Sequence, residues 1–275
     1  MPMPQNECVP KVSVLMGVLY RRNDISLLCR SVESVLAQTI DDFEFLICDD
    51  GSTREATEYL ERISKQDKRI RLIRKGNLFG LSEKLNACLR ESRGSLIARM
   101  DDDDYSHPER FAREIAALEV EPAEIGFVGC NVNLVRNGYL AGTRVFPRYP
   151  GVRDFFITQP FIHPSLLFRA TALFSVNGYS EEKRCNLCED YDLLLRLYAR
   201  GIRGINLDET LLDYTVPLTA KGSRTMKHRW CEAQTRFVRF RELGILPVAF
   251  PFVIKPLATG VLPEWLLKKV KECRD

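Results

Sequence analysis

The amino-acid sequence predicts an α/β protein whose sheet is largely parallel over about the first 110 residues. Short apolar segments rich in β-branched residues alternate there with segments of helical periodicity. Two acidic clusters, residues 49–50 and 101–104, directly follow two of the predicted strands. Because ligands of such sheets bind beyond the carboxyl ends of the strands, the two clusters together indicate one candidate site.

The first predicted strand covers residues 12–20, and Asp24 is the expected N-cap of the helix that follows, because aspartate accepts from free first-turn amides. Gly94 is expected to cap the C-terminus of a third helix. Pro108 is expected to open a fourth helix, since proline is tolerated in a first turn. The remaining elements predicted in this half are strands 43–48, 70–73 and 95–100 and helices 53–64 and 82–91.

The second half of the chain is less regular. An amphipathic helix is predicted at residues 189–200 and ends at Gly201. From residue 221 onward, twelve Lys or Arg stand against five Asp or Glu, and prolines interrupt the apolar patches. This segment is interpreted either as a surface that faces anionic lipid or as helices that pack back on the preceding domain. The strands predicted in this half are 126–132, 165–168 and 211–216.

Composition excludes several classes of protein. With 275 residues, 45% of them apolar, the chain can bury a substantial core, and a net charge of +3 is too small for nucleic-acid binding over the whole surface. Residues 1–11 have no apolar run of the kind found in secretory signals, and no stretch approaches the roughly 18 apolar residues of a membrane span. The expected location is the cytoplasm, with peripheral membrane association left open. Seven of the nine cysteines are scattered and indicate reduced thiols rather than a disulfide framework. Cys185 and Cys188 form one C-x-x-C, for which a metal or redox role is the alternative, but no second pair of zinc ligands lies nearby in the sequence.

The four consecutive aspartates at residues 101–104 follow a predicted strand. Their mutual repulsion requires compensation, and Mg²⁺ or Mn²⁺ would provide it, because these ions prefer carboxylate and phosphate oxygens. An ion that bridges the carboxylates to a diphosphate would also stabilise a departing nucleoside diphosphate. The alternative interpretation is a solvated acidic turn that caps the next helix.

Two further acidic pairs have both functional and structural interpretations. Asp49 and Asp50 precede Gly51, where the chain can turn sharply. A carboxylate there could accept from the base or ribose of a nucleotide, or could form an ordinary Asx turn. Glu189 and Asp190 open a predicted helix, where a carboxylate either interacts with the helix dipole or acts as general base for an acceptor hydroxyl. Spacing alone does not choose between these roles.

In this order, the motifs resemble those of the family 2 glycosyltransferases, which have the GT-A fold. The resemblance extends from about Val12 to Val216, and within the family it is strongest to transferases that assemble bacterial exopolysaccharide or O-antigen repeat units. The matching segments are 12–16 (VSVLM), 34–39 (SVLAQT), 43–52 (FEFLICDDGS), Asn77, Gly80, 85–86 (LN), 99–104 (RMDDDD), 163–165 (HPS), 177–179 (NGY) and 188–192 (CEDYD).

The resemblance implies roles for residues on the donor side. Asp50 matches the aspartate that binds the nucleotide base, and Tyr20 lies near the base. Asp101 and Asp103 match the two carboxylates of the D-x-D motif and are the expected ligands of Mn²⁺ or Mg²⁺. Asp102 and Asp103 are expected to face the nucleotide sugar.

The resemblance also implies the acceptor side and the reaction. Asp190 matches the catalytic base, and His163 and Glu189 are expected near the acceptor. The implied reaction is inverting transfer from a nucleotide-diphospho-sugar, expected to be a UDP-sugar, to a glycan hydroxyl. A polyprenyl-diphosphate-linked glycan is one candidate acceptor, and an anionic membrane surface is a candidate partner.

The resemblance implies a GT-A catalytic domain at residues 1–220, with a mixed central sheet flanked by helices. Its Rossmann-like half, at about 12–110, would bind the nucleotide sugar, and about 111–220 would form the acceptor side. Residues 221–275 would form a basic amphipathic helical extension.

Two departures from the family pattern are informative. Gly17 stands where many members have proline, and Met226 replaces the glutamine of the Q-x-x-R-W motif of processive members, so a single-addition enzyme is expected. A nucleotidyltransferase that makes nucleotide sugars is one alternative, but the segment 20–24 lacks the glycine-rich loop of that class. A non-catalytic nucleotide-sugar-binding module is another, and it would not require Asp190 beside an acidic metal motif.

Overall fold

The computed structural model describes residues 9–76, 78, 80–185, 187–216 and 225–261. Some of the sequence-based expectations fall outside these residues. They concern Asn77, the N-terminal eight residues, the boundary region 217–224 and the end of the basic segment at 262–275.

The predicted alternation of strands and helices in the first half is confirmed. All seven residues of the second strand are buried, as expected for a parallel strand that helices cover on both faces. The elements are β1 (Val12–Val18), α1 (Ser26–Leu36), β2 (Phe43–Asp49), α2 (Arg54–Gln66), β3 (Ile70–Ile73), α3 (Leu81–Glu91) and β4 (Leu96–Arg99). β1 pairs in parallel with both β2 and β4, and β2 pairs in parallel with β3.

The second half completes a mixed sheet. Its elements are β5 (Tyr105–Ser106), α4 (Arg110–Val120), β6 (Ile125–Arg136), β7 (Tyr139–Arg144), β8 (Leu167–Arg169), α5 (Ala170–Ser175), α6 (Glu189–Ala199), β9 (Arg203–Thr215), α7 (Met226–Glu242) and α8 (Leu246–Val261). Within the described residues the strand order is β3-β2-β1-β4-β8-β6-β9-β5, and β7 pairs with β6. The sheet becomes mixed at β8, which runs antiparallel to both of its neighbours.

β6 and β9 are longer than the predicted strands. β9 begins at Arg203 rather than at residue 211, because its parallel pairing with β6 continues past the polar residues 208–210 that interrupt the apolar pattern. The pairing shifts register near Cys130, so backbone hydrogen bonds maintain the strand where its side chains give no signal.

Three local predictions were wrong. α4 begins at Arg110 with Glu109 as its N-cap, so Pro108 precedes the helix and does not lie in its first turn. α1 begins at Ser26 with Ile25 as its N-cap, and Asp24 instead accepts from the Ser26 amide at 2.9 Å from the position before the cap. α3 ends with Ser92 as its C-cap, so Gly94 does not cap it. A Cβ at Gly94 would lie 2.6 Å from the Ser13 backbone nitrogen, so this position requires glycine because the loop passes close to β1.

The described part of the C-terminal segment packs back on the domain. α7 contacts α6, and Phe240, Ala249 and Val253 of α7 and α8 are buried in one of the two main hydrophobic clusters. In the described part of the chain, no helix is long and apolar enough to cross a membrane. Large apolar side chains nevertheless remain exposed on this helix pair: Met226, Trp230, Phe237, Val248, Phe250 and Ile254.

A buried ion-pair network joins α6 to α7. The fully buried Asp192 carboxylate accepts from Arg196 Nε at 2.7 Å and from Arg239 Nε at 2.8 Å. Burial alone would raise the pKa of this carboxyl, but the hydrogen bonds and charges of the two arginines prevail and hold the pKa below its usual value. Asp192 is therefore an ionised structural group that anchors the C-terminal helices.

Candidate active site

A cleft of about 370 Å³ lies at the carboxyl end of β4, where α/β sheets bind their ligands. It brings together four of the predicted site residues, which are far apart in sequence: Asp101, His163, Glu189 and Asp190. Further polar or aromatic residues of its wall are Arg144, Thr158, Gln159, Tyr191, Tyr214, Glu232 and Arg236. The structure therefore brings the acidic segment after β4 and the start of α6 together at one cleft.

Three elements anchor the acidic turn after β4. The Ser31 hydroxyl of α1 donates to the Asp101 carbonyl oxygen at 2.6 Å, and the Asp101 carboxylate forms an ion pair with the buried Arg99. The Thr215 amide donates to Asp104 Oδ1 at 2.7 Å, and the Asp104 side chain is fully buried. Asp104 is thus a structural residue, whereas Asp101 and Asp103 are partly exposed.

The aspartates concentrate negative charge that the protein only partly neutralises. Burial, together with the charge of Asp101, raises the pKa of Asp102 to about 7 and that of Asp103 to about 6. These carboxylates are hard oxygen donors of the kind that Mn²⁺ and Mg²⁺ prefer. No group of three or more His, Cys, Asp or Glu side chains could hold a metal ion among the described residues. An ion here would be held by one or two carboxylates and completed by substrate phosphates and water, and the assignment of Asp101 and Asp103 as its ligands stays a prediction.

Asp190 lies in the first turn of α6, and both of its carboxylate oxygens accept hydrogen bonds. Oδ1 accepts from the Tyr191 amide at 2.7 Å, and Oδ2 accepts from Gln159 Nε2 at 3.1 Å. These contacts orient a partly exposed carboxylate in the cleft wall, where a general base for an acceptor hydroxyl is required. Neighbouring Glu189 differs, because burial and the charge of Asp190 raise its pKa to about 7.

His163 is buried and makes a 2.9 Å hydrogen bond between Nε2 and the Tyr179 hydroxyl. Burial and the nearby Arg99 charge hold the pKa of the imidazole well below its ordinary value, so the ring is neutral. The Tyr179 amide donates to Asn86 Oδ1 at 2.9 Å, which connects this side of the cleft to α3.

The donor-side residues Tyr20, Asp50, Asp102 and Asp103 are not among the described residues that line this cleft. Tyr20 is buried, and its hydroxyl donates to the Asp24 carbonyl oxygen at 2.9 Å. The Asp50 carboxylate accepts from the Gly76 amide at 3.0 Å. Tyr20 and Asp50 follow the ends of β1 and β2, on the opposite side of the acidic turn from β6, whereas Asp102 and Asp103 lie in the turn itself.

Lys84 is a residue of the donor side that sequence reasoning missed. It is only 1% exposed, and its Nζ donates to the Val18 carbonyl oxygen and, at 3.1 Å, to the Asp50 carbonyl oxygen. Burial lowers the pKa of this amine, and the carboxylates of Asp49 and Asp50 oppose that effect. The sequence feature that could have identified Lys84 is its place on the buried face of an amphipathic helix, one residue before Leu85.

Sequence reasoning also missed residues on the acceptor side. Gln159 and Arg144 carry no motif. Glu232 and Arg236 lie in α7, beyond the predicted boundary at residue 220, yet both line the cleft. The boundary itself stays a prediction.

The fold and the cleft define an enzyme of the GT-A class, and comparison with known proteins identifies the family. Residues 18–173 match the family described as "Glycosyl transferase family 2", so the chain belongs to this family and is a glycosyltransferase. It is 31% identical to the "Putative glycosyltransferase EpsE" of Bacillus subtilis (strain 168) over 269 residues, which are 96% of this chain and 94% of the relative.

Two further similarities agree. The chain is 30% identical to the "O-antigen biosynthesis glycosyltransferase WbnJ" of Escherichia coli over 210 residues, covering 74% of this chain and 79% of the relative. The structure resembles the mannosyltransferase PcManGT from Pyrobaculum calidifontis, solved in complex with GDP-Man and Mn²⁺, with a TM-score of 0.62 and 17% identity. That match covers 96% of this chain and 80% of the other and confirms the predicted fold. The chain is thus a family 2 glycosyltransferase with relatives among bacterial polysaccharide transferases.

Proposed function

We propose that this enzyme transfers a sugar from a nucleotide-diphospho-sugar to a glycan hydroxyl with inversion, and that Asp190 is the general base. The observation that carries the proposal is the single cleft that contains both Asp101, at the end of β4, and Asp190, at the start of α6. Inversion in one displacement requires a base on the face of the sugar opposite the leaving diphosphate. Two carboxylates that come from different elements and share one cleft support this arrangement.

The base must be Asp190 rather than either acidic neighbour. Asp192 is fully buried and paired with two arginines, so it has no access to an acceptor. Residues one apart on a helix point in different directions, so Glu189 and Asp190 have different roles. The family resemblance assigns the base role to Asp190, whereas burial and the charge of Asp190 raise the pKa of Glu189 to about 7.

The donor would bind with its base near Tyr20 and Asp50 and its diphosphate at the acidic turn. Asp101 and Asp103 would hold a divalent ion, which when bound supplies positive charge that stabilises the departing diphosphate. The mannosyltransferase of similar fold was solved with GDP-Man and Mn²⁺, which supports an ion and a nucleotide sugar of this kind. The family resemblance makes UDP-sugars the first donors to examine.

A screen of UDP- and GDP-sugars for release of nucleoside diphosphate tests the proposal. We expect release from one donor in the presence of Mn²⁺ or Mg²⁺ and its loss with a chelator. NMR of the transferred sugar should show an anomeric configuration opposite to that of the donor. A product that retains the donor configuration would contradict the single displacement, and release that is equally fast in chelator would contradict the ion.

We further propose that the acceptor is lipid-linked and is met at an anionic membrane surface. Trp230 and Phe250 are exposed on the C-terminal helix pair, together with the cationic Lys227 and Arg241. Amphipathic aromatic side chains beside basic residues are typical of interfacial helices. Because buried α7 residues such as Arg236 line the cleft, a membrane bound to the outer side of this helix pair would hold a lipid-linked acceptor near Asp190.

Point substitutions test the membrane surface better than truncation, because removing α8 would also remove the buried Ala249 and Val253 from the core. We expect the double variant Trp230→Ala/Phe250→Ala to sediment at least about fivefold less with phosphatidylglycerol vesicles, since burial of each large apolar side chain contributes roughly 1.5–3 kcal/mol. The control is Tyr139→Ala/Leu140→Ala, which removes two exposed apolar side chains from the β6–β7 hairpin. Equal sedimentation of the two double variants would refute the proposed surface.

A further inference from the structure

Among the described residues, the cleft contains one arginine that forms no ion pair with a carboxylate. Arg144, the last residue of β7, donates from Nη2 to Thr158 Oγ1 and to the Gln159 carbonyl oxygen, each at 3.3 Å. Its guanidinium also stacks over the Phe146 ring, 4.8 Å from the centroid. In the part of the chain that the structure describes, it makes no ion pair with a carboxylate.

The other arginines near this cleft are neutralised. Arg236 pairs with Glu232 at 3.0 Å, and Arg99 pairs with Asp101. Arg144 has only neutral oxygens, and only Nη2 donates to them; its Nε and Nη1 make no hydrogen bond to any described residue. Burial lowers the pKa of this guanidinium, yet an arginine stays charged in proteins, and among the described residues only neutral oxygens and the Phe146 ring offset its partial desolvation.

An anionic ligand would complete this environment. The planar fork of a guanidinium matches the two oxygens of a phosphate or carboxylate, and such charge-assisted pairs are stronger than neutral hydrogen bonds. Phe146 stacks against the guanidinium plane and so restricts its orientation, which reduces the conformational entropy lost on binding.

The position of Arg144 indicates which substrate carries the anion. The segment that accepts from Arg144, Thr158–Gln159, also supplies the Gln159 amide that donates to Asp190 Oδ2 at 3.1 Å. The end expected to bind the nucleotide base lies at β2. Three strands, β1, β4 and β8, lie between β2 and β6, and β6 pairs with β7. At about 4.8 Å per strand, β2 and β6 are roughly 19 Å apart. Arg144 therefore lies on the side of Asp190 and away from the end expected to bind the nucleotide base, although Asp101 of the acidic turn lines the same cleft.

We propose that Arg144 binds a phosphate or carboxylate group of the acceptor, which makes this a transferase for anionic rather than wholly neutral acceptors. The inference rests on the proposed function, because it takes the side of Asp190 as the acceptor side. The leaving diphosphate of the donor is the other source of the same chemistry.

Binding measurements with two probes distinguish these sources. UDP or GDP with Mg²⁺, whichever base the donor screen selects, probes the donor side, and inorganic phosphate added to the nucleotide-saturated enzyme probes the acceptor side. We expect Arg144→Met to weaken phosphate binding at least about tenfold, since hydrogen bonds to charged groups contribute roughly 1.5–3 kcal/mol. The phosphate affinity of Arg144→Lys should lie between those of wild type and Arg144→Met, because lysine keeps the positive charge but lacks the planar fork of the guanidinium. The nucleotide Kd should stay within about twofold.

Arg148→Met is the matched control. Arg148 is an exposed arginine four residues later, and it pairs with Asp208 at 3.1 Å outside the cleft. Unchanged phosphate affinity in folded Arg144→Met would overturn the proposal, and a parallel loss of nucleotide affinity would assign Arg144 to the donor. If wild-type enzyme binds nucleotide but does not bind phosphate, only the role of Arg144 is contradicted. If wild-type enzyme binds neither UDP nor GDP, the proposed function is contradicted.

Discussion

Replacing Asp190 by asparagine is expected to reduce single-turnover transfer by about 10²–10⁴-fold, the usual contribution of a general base. The amide is nearly isosteric, and its oxygen can still accept from the Tyr191 amide, which now donates to Oδ1 at 2.7 Å. The start of α6 should therefore keep its structure. What the variant loses is the ability to take the proton of the acceptor hydroxyl, so donor affinity should stay within about twofold of wild type.

Glu189→Gln is the control for this variant, since Glu189 lines the same cleft one residue earlier. Glu189→Gln should lose less single-turnover transfer activity than Asp190→Asn. The sequence allowed a loss of stability through a missing helix cap, but the N-cap of α6 is Cys188, and no side chain caps the helix. Donor titration and single-turnover transfer should be measured on both variants. Normal transfer by Asp190→Asn, or a loss of donor binding in parallel with activity, would show that another residue is the base.

Asp103→Asn is expected to reduce transfer at least about 10²-fold, because charge stabilisation by a divalent ion contributes several kcal/mol and each 1.36 kcal/mol is tenfold. It should also weaken the binding of nucleoside diphosphate in the presence of Mn²⁺ but not in its absence. Calorimetric titration of the nucleotide with and without Mn²⁺ measures this difference. Full activity of the variant in chelator would refute the D-x-D assignment.

Asp104→Asn is the matched control for Asp103→Asn. Its side chain is buried, and asparagine keeps an oxygen that can accept from the Thr215 amide, as Asp104 Oδ1 does at 2.7 Å. We therefore expect little change in the dependence of nucleotide binding on Mn²⁺. If Asp104→Asn weakened Mn²⁺-dependent nucleotide binding as much as Asp103→Asn does, the assignment of the ion to Asp103 would be wrong.

The raised pKa of Asp103 adds a pH dependence to this experiment. A metal ion binds the ionised carboxylate. Because the pKa of Asp103 is about 6, this form is the minority when the pH is below about 6. Protons therefore compete with the ion below this pH, and Mn²⁺-dependent nucleotide affinity should fall as the pH is lowered through 6. Asp103→Asn should remove the contribution of this group to the pH dependence.

The sequence determined the architecture of the first half and the class of enzyme. The apolar periodicity of β1 to β4 and the acidic residues at their ends are local patterns, and the order of motifs indicated family 2. Asp101, His163, Glu189 and Asp190 were proposed in this way from short contiguous motifs; the structure brings them to one cleft, and their roles stay predictions.

Only the tertiary structure decided which neighbouring residues complete the site. Lys84 and Arg144 lie far from the acidic motifs in sequence, and their roles depend on which carbonyls and carboxylates they meet or do not meet. The same holds for Asp192 of the segment 188–192, which is buried and pairs with two arginines as a structural ion. Sequence periodicity reports which face of an element is buried, but the partner of a charged side chain is set by long-range packing, and that packing decides whether its charge is neutralised or available to a ligand.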